Sequence, residues 1–413
     1  MMDAKYRRVK WACYATNISM SVVANLSPLL FLSFRSLYGI SYSLLGLLVL
    51  VNFVTQLTLD LIFSFFSHKF NVPKAVKLTP VLTAAGLLVY AVWPFFFPQA
   101  VYAGLVIGTM IFSASGGLAE VLISPVIAAI PAEDPDREMS KLHSIYAWGV
   151  VLVIIVSTLY LLAFGAAAWQ GLALLFLLIP LTACGLYAGT EIPPMETPER
   201  ASGAVELLKN KGLWLCILAI FLGGASECTM AQWSSSYLER ALGIPKVWGD
   251  VFGVALFAMM LGLGRTLSAK RGRNVSRVLF WGSAGAAVCY LTAAVSGNAI
   301  VGLCACARTG LCVSMLWPGS LIIASDRFPA GGVFVYAVMA SGGDLGASVA
   351  PQLIGLITDA VIAAPAAAGL AESMGLGAEQ LGMKIGMLAG MLFPLAAVPL
   401  YGYIRKRETA GRQ

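Results

Sequence analysis

Apolar residues run along the chain in twelve long stretches, near 10–33, 42–66, 74–96, 99–130, 142–164, 171–190, 213–238, 247–268, 276–296, 298–323, 333–361 and 383–404. About 20 residues at 1.5 Å each cross about 30 Å of hydrocarbon, so each stretch predicts a membrane-spanning helix. A membrane β-barrel would instead show alternating segments of about ten residues. The pattern predicts an all-α integral membrane protein of twelve helices. The longest polar break, EIPPMETPERASGAVELLKNKG at 191–212, predicts a linker between an N-terminal six-helix bundle (1–190) and a C-terminal one (213–413).

A weak internal repeat supports that division. GLAEVLISP runs from Gly117 to Pro125 in the fourth stretch and GLCVSMLWP from Gly310 to Pro318 in the tenth. Each proline is followed 24 positions later by a helical glycine, Gly149 in SIYAWG and Gly342 in AVMASGG. Two matches at one offset point to duplication of a six-helix unit.

Composition agrees with the pattern: 59% of the 413 residues are hydrophobic, 11% are charged, and mean hydropathy is +0.83. The net charge of +7 arises from lysines and arginines at the helix ends. With both termini inside, inner segments hold clusters such as Arg7, Arg8 and Lys10, or Lys270, Arg271 and Arg273. Outer loops would hold only Arg35, Arg240, Lys246 and Lys384. This asymmetry predicts cytoplasmic termini, residence in the cell membrane and contact with anionic lipid rather than nucleic acid. The first stretch has a charged start but no small-residue cleavage site, and reads as a retained helix. All eight cysteines fall in apolar stretches without CxxC or Cys/His spacing, so neither a disulfide framework nor a metal site is expected.

Charge inside a span is the strongest functional signal, because a carboxylate in hydrocarbon needs a partner, a proton or water. Glu120, inside SASGGLAEVLISPVIAAIP, is the foremost case and a candidate proton carrier. His143, at the start of the fifth stretch, is a candidate relay, since histidine titrates near physiological pH. The seventh stretch, GGASECTMAQWSSSYLE, carries Glu227, Gln232 and Trp233, amide and carboxylate beside an indole, which suits a sugar. It alternatively reads as a helix unwound at Gly223–Gly224 whose polar groups pair with one another. Trp317, before Pro318, is a similar stacking candidate, and Asn25 offers an amide in the first stretch. Asp344 in SGGDLGAS is expected to pair with Arg308 of ARTG, its flanking glycines allowing close helix approach. Asp60 and Arg265 are candidates for a gating ion pair, and His68 reads as a solvated loop residue.

The fourth stretch, GGLAEVLISPVIAAIP, resembles the G-x-x-E…P signature of the fucose–proton symporter branch of the major facilitator superfamily. In the eleventh, Pro351, Gly355 and Asp359 of GGDLGASVAPQLIGLITD are similar to that branch's G-G…P-x-x-x-G-x-x-x-D pattern. The resemblance implies a fold of two six-helix halves and alternating access to a solute. It further implies that Glu120 exchanges protons and that His143 and Tyr146 line a sugar-contacting cavity. The chain departs from the branch in its first helix, where Asn17 and Asn25 stand in place of an acidic residue. The superfamily's loop signature after the second helix is also degraded, only His68–Lys69 and Lys74 keeping its basic end.

No Walker A ending, HExxH or soluble catalytic domain occurs, so neither ATP hydrolysis nor an enzyme is expected, and no cofactor. A membrane-embedded enzyme would need a nucleophile–base pair, and none is legible. The expectation is a monomeric secondary transporter carrying a small polar solute, foremost a sugar, with protons. Sodium coupling, uniport and proton-driven efflux of other small molecules stay open.

Overall fold

The computed structural model describes residues 2–66, 69–132, 135–194, 207–271, 274–328 and 332–410. Eleven described helices are long and apolar enough to cross a membrane, and a bent pair supplies the twelfth span. That pair is Met2–Leu29 (α1) and Phe31–Tyr38 (α2), which meet at 45°. Pro28 removes one backbone donor at the bend, and the Leu30 amide turns back to the Ser27 carbonyl at 3.0 Å.

The next helices are Tyr42–Phe66 (α3), Val72–Phe96 (α4), Val101–Ala129 (α5), Pro135–Phe164 (α6) and Trp169–Tyr187 (α7). Lys211–Leu242 (α8) follows, and it is continuous through Gly223–Gly224, so the unwound alternative does not hold. The eighth span begins with a short helical turn, Lys246–Trp248, passes through a π-helix, Gly249–Ala255, and continues as Leu256–Arg271 (α9). Then come Val275–Val295 (α10), Ala299–Val313 (α11), Leu316–Arg327 (α12) and Gly332–Ala363 (α13). Pro365–Ser373 (α14), which the apolar pattern does not announce, precedes Ala378–Ala410 (α15). Among the described residues three starts carry an asparagine cap: Asn71, Asn210 and Asn298 accept backbone N–H groups of α4, α8 and α11.

The chain forms two compact units, residues 1–38 with 51–201 and residues 39–50 with 202–413. The bounds differ from the expected 1–190 and 213–413 in one instructive place, the transfer of 39–50 to the second unit. The motif around Pro351 accounts for it. The Asp359 carboxylate accepts the first two amides of α3, Tyr42 N at 3.1 Å and Ser43 N at 2.6 Å. Ser41 serves the next two, its hydroxyl taking Leu44 N and its carbonyl Leu45 N. Three of the four amides that a helix start leaves open are thereby filled, and Leu45 N makes the first regular helical bond. Gly355 lets the Tyr42 carbonyl lie where a Cβ would stand, and the Tyr42 hydroxyl donates to Glu379 at 2.6 Å. Asp359→Ala is expected to lower the thermal midpoint by the equivalent of about 1 kcal/mol, and Asp359→Asn by much less because an acceptor remains. Differential scanning fluorimetry reads the difference, and equal midpoints in the two variants would remove the cap from the account.

The repeated glycines have matching roles. A Cβ on Gly117 of α5 would stand 2.7 Å from the Gln56 carbonyl of α3, and one on Gly310 of α11 would meet the Phe257 carbonyl of α9. Likewise Gly149 of α6 lies against Ser21 of α1, and Gly342 of α13 against Ile217 of α8. In each unit, then, the fourth span seats on the second and the fifth on the first through a bare backbone.

Lys384 does not lie in an outer loop. It belongs to α15, is 8% exposed, and donates to the Ala294 and Ser296 carbonyls at the end of α10. A lysine there satisfies open carbonyls and the negative helix end together. Glu138, before the fifth span proper, ties α6 to α1: it receives Lys10, Lys141 at 2.5 Å and the Tyr14 hydroxyl at 3.0 Å. These donors, Lys10 foremost, hold its carboxyl down to about 2 from the usual 4.5. A depressed carboxyl stabilises the fold above its unfolded value, and that share is lost as pH falls from about 4.5 toward 2. Glu138→Gln is therefore expected to unfold at a lower temperature at pH 7, with the gap to the parent narrowing below about pH 4.5 and closing only near pH 2.

Candidate functional site

Each unit holds a polar cluster at span depth. In the first unit, Asn52, Gln56 and Asp60 stand four residues apart on α3 and so share one face. The Asn52 side-chain oxygen accepts from Gln56 at 3.2 Å and from the Ser113 hydroxyl of α5 at 2.6 Å. Gly116 leaves room for the Gln56 side chain and Gly117 for the Asp60 carboxylate, which would stand 2.9 Å from a Cβ there. Glu120 lies one turn further along that face of α5. It is exposed, and among the described residues no hydrogen bond or ion pair engages its carboxylate. Asp60 is buried, 8% exposed.

The sequence reading missed Asn52 and Gln56. Their signal was present in VNFVTQLTLD, where the polar positions of an apolar stretch recur every fourth residue.

Other expected residues of this unit have local employment. The Asn25 amide donates to the Ser21 carbonyl one turn back at 2.9 Å, and Asn17 donates to the Leu142 carbonyl of α6 at 2.6 Å. Tyr146 is half-buried, and its carbonyl accepts from the Ser21 hydroxyl at 2.9 Å. Asn17 thus fastens the first span to α6, whereas Asn25 bonds within its own helix. The His143 side chain and His68 lie outside the described residues.

In the second unit Pro318 shapes the cluster. It interrupts the tenth span, which runs as α11 and α12 with Ser314 and Met315 between them. Proline has no N–H to offer the carbonyl four residues back, that of Ser314. That carbonyl instead accepts Nε of Arg265 at 3.1 Å. The guanidinium is held there while its Nη2 meets both oxygens of Glu227, at 3.2 and 3.3 Å. The pair is accessible: the Arg265 side chain is 45% exposed and that of Glu227 17%. Arg265 therefore takes Glu227 as its ion partner.

Trp317 is half-buried beside this pair, its ring lying over Gly343 and against Gly224, one turn before Glu227. The two glycines form a slot that a Cβ on either would fill. Asp344, 4% exposed, follows Gly343, and the Cys228 thiol lies in the field of Glu227, Asp344 and Arg265 together.

Three expectations change here. Arg308 is exposed on α11 with Cys289 and Cys312 in its field, and no ion pair joins it to Asp344 among the described residues. Trp233 is fully buried, donates its indole N–H to the Pro351 carbonyl at 2.9 Å, and packs on Tyr42 with ring centroids 5.8 Å apart. It offers no open face to a solute, because the position that places it beside Gln232 turns it toward α13. Gln232 itself is 6% exposed.

The arrangement offers a carboxylate acceptor and a guanidinium donor side by side, next to an indole. Among the described residues no group of three or more His, Cys, Asp or Glu is placed to hold a metal ion. The family model described as Major Facilitator Superfamily matches residues 12–351. No curated protein matches the chain in sequence. The fold is similar to that of a bacterial homolog of the human lysosomal transporter Spinster, in an inward-facing and occupied conformation. That likeness has a TM-score of 0.73 at 13% identity and covers 98% of this chain and 97% of the other. A D-xylose–proton symporter is similar with a TM-score of 0.71 at 15% identity, covering 96% and 99%. The fucose:proton symporter of E. coli gives 0.57 at 14% identity, covering 95% and 99%.

Proposed function

Because the chain belongs to the Major Facilitator Superfamily and is a transporter working by alternating access, we propose that it carries a small neutral polyhydroxy solute, foremost a sugar, together with protons. The observation that carries this reading is the exposed Glu227–Arg265 pair beside Trp317. A vicinal diol presents a donor and an acceptor side by side, which the carboxylate and the guanidinium match. A neutral solute leaves the charge balance of the pair intact, whereas an ionic one would have to compete with one partner of the pair for the other. The indole supplies an apolar face for C–H groups.

Glu120 takes the part of proton carrier, since an accessible carboxylate inside a span is functional by default. Asp60, whose carboxylate lies against Gly117 one turn before Glu120, is a second carboxylate along that helix contact. The protein acts as a monomer in the cell membrane with both termini in the cytoplasm, a placement that rests on its asymmetry of lysine and arginine.

The test is a thermal-shift screen of neutral sugars, sugar acids and amino acids on purified protein. Uptake of the best hit into proteoliposomes under an imposed pH gradient follows. Sugar uptake that tracks the gradient supports the reading; a preference for acids or amines overturns its solute class. Uptake indifferent to pH overturns the coupling and leaves sodium or uniport, and outward movement leaves efflux.

A further inference from the structure

At one end of the second unit, where the chain enters α8, an open cleft of ≈ 720 Å³ lies between α8, the end of α12 and the late part of α15. Its lining includes the cations Lys211 and Arg327 and the apolar or aromatic side chains of Leu215, Phe328 and Tyr403. Among the described residues neither cation is paired with a carboxylate; the one contact of the Arg327 guanidinium is with the Cys216 thiol. Asp326 is exposed next to Arg327 and forms no ion pair with it among the described residues. The helix start is not the seat of charge, because Asn210 already accepts the Gly212 amide at 2.8 Å.

The cleft lies at interfacial depth. Spans Lys211–Leu242 and Ala299–Arg327 begin and end there, and Tyr403 precedes the last residue of span Ala378–Lys406 by one turn. Trp214 beside it is 55% exposed and donates its indole N–H to the Leu208 carbonyl, the disposition of an aromatic belt. Two cations with no carboxylate partner among the described residues, in one cleft with an apolar, aromatic lining, suit a molecule that is an oxyanion at one end and a hydrocarbon at the other.

We propose that this cleft binds the phosphate headgroup of an anionic membrane phospholipid, held by Lys211 and Arg327, with its glycerol and first methylenes against Leu215 and Phe328. Basic pockets between transmembrane helices recognise anionic headgroups in this way. A free phosphate shares the oxyanion chemistry but leaves the apolar wall unused.

Native mass spectrometry of the full-length protein in detergent, titrated with phosphatidylglycerol, phosphatidylcholine or inorganic phosphate, tests the assignment. Phosphatidylglycerol is expected to bind more tightly than phosphatidylcholine by about thirtyfold, the effect of two cations at about 1 kcal/mol each. Lys211→Gln combined with Arg327→Gln should bring the two lipids level. Arg327→Lys, which keeps the charge, should retain most of the preference and controls for misfolding. Equal binding of the two lipids to the parent protein overturns the proposal. So does an undiminished preference in the double variant, and so does displacement of phosphatidylglycerol by millimolar inorganic phosphate.

Discussion

Proteoliposomes containing Glu120→Gln are expected to exchange labelled solute across the membrane as the parent does, yet to accumulate none against a gradient. The reasoning starts from isostery: the amide keeps the size and hydrogen-bonding reach of the carboxyl but cannot take up or release a proton. Glu120 is exposed, so little packing depends on its side chain. The fold should survive the change. A pH difference of two units is worth about 2.7 kcal/mol per proton, enough for about hundredfold accumulation at one proton per solute. The parent should approach that ratio and Glu120→Gln should stay near one. If Glu120→Gln still accumulates solute, the carboxylate is not the carrier and Asp60 becomes the next residue to replace. If exchange is lost as well, Glu120 touches the solute or the gate.

Arg265→Ala is expected to abolish solute binding, and Arg265→Lys to weaken it by about ten- to hundredfold. Alanine leaves Glu227 without its cation at span depth and frees the Ser314 carbonyl that Pro318 orphans. A hydrogen bond to a charged group is worth about 1.5–3 kcal/mol, which sets that range. Lysine preserves the charge but not the planar fork that serves Ser314 and Glu227 together. Because the arginine is nearly half exposed, its loss should cost less stability than breaking a fully buried pair. Thermal midpoints within a few degrees of the parent, with binding gone, would fit a recognition role. A collapsed midpoint, or binding unchanged in Arg265→Ala, would make the pair structural.

The spans and their repeat were legible because bilayer thickness fixes helix length and because glycine at a fixed offset has one packing use. Gly117 with Gly310, and Gly149 with Gly342, are examples of that second rule. Glu120 was legible for the same kind of reason, a charge where charge is costly. Partner choice was not. Arg308 and Asp344 looked suited to each other, but sequence gives no azimuth between helices, and Arg308 points away on an exposed face. Arg265 was noticed without its partner, since Glu227 lies 38 residues back and the decisive carbonyl 49 residues on. Trp233 was misplaced because polar neighbours in sequence suggested an open cavity, whereas helical rotation sends the indole to Pro351.

The matched glycines have a consequence for how such a protein changes. The scaffold is doubled, whereas the chemistry is not: Glu120 has Val313 at its equivalent place, three residues beyond Gly310, and Arg265 answers to nothing in the first unit. Helix seating is written twice in backbone, and reactivity once in side chains at unduplicated positions. A lineage can therefore exchange one cargo for another by altering single positions on either copy while the ancestral joinery stays intact.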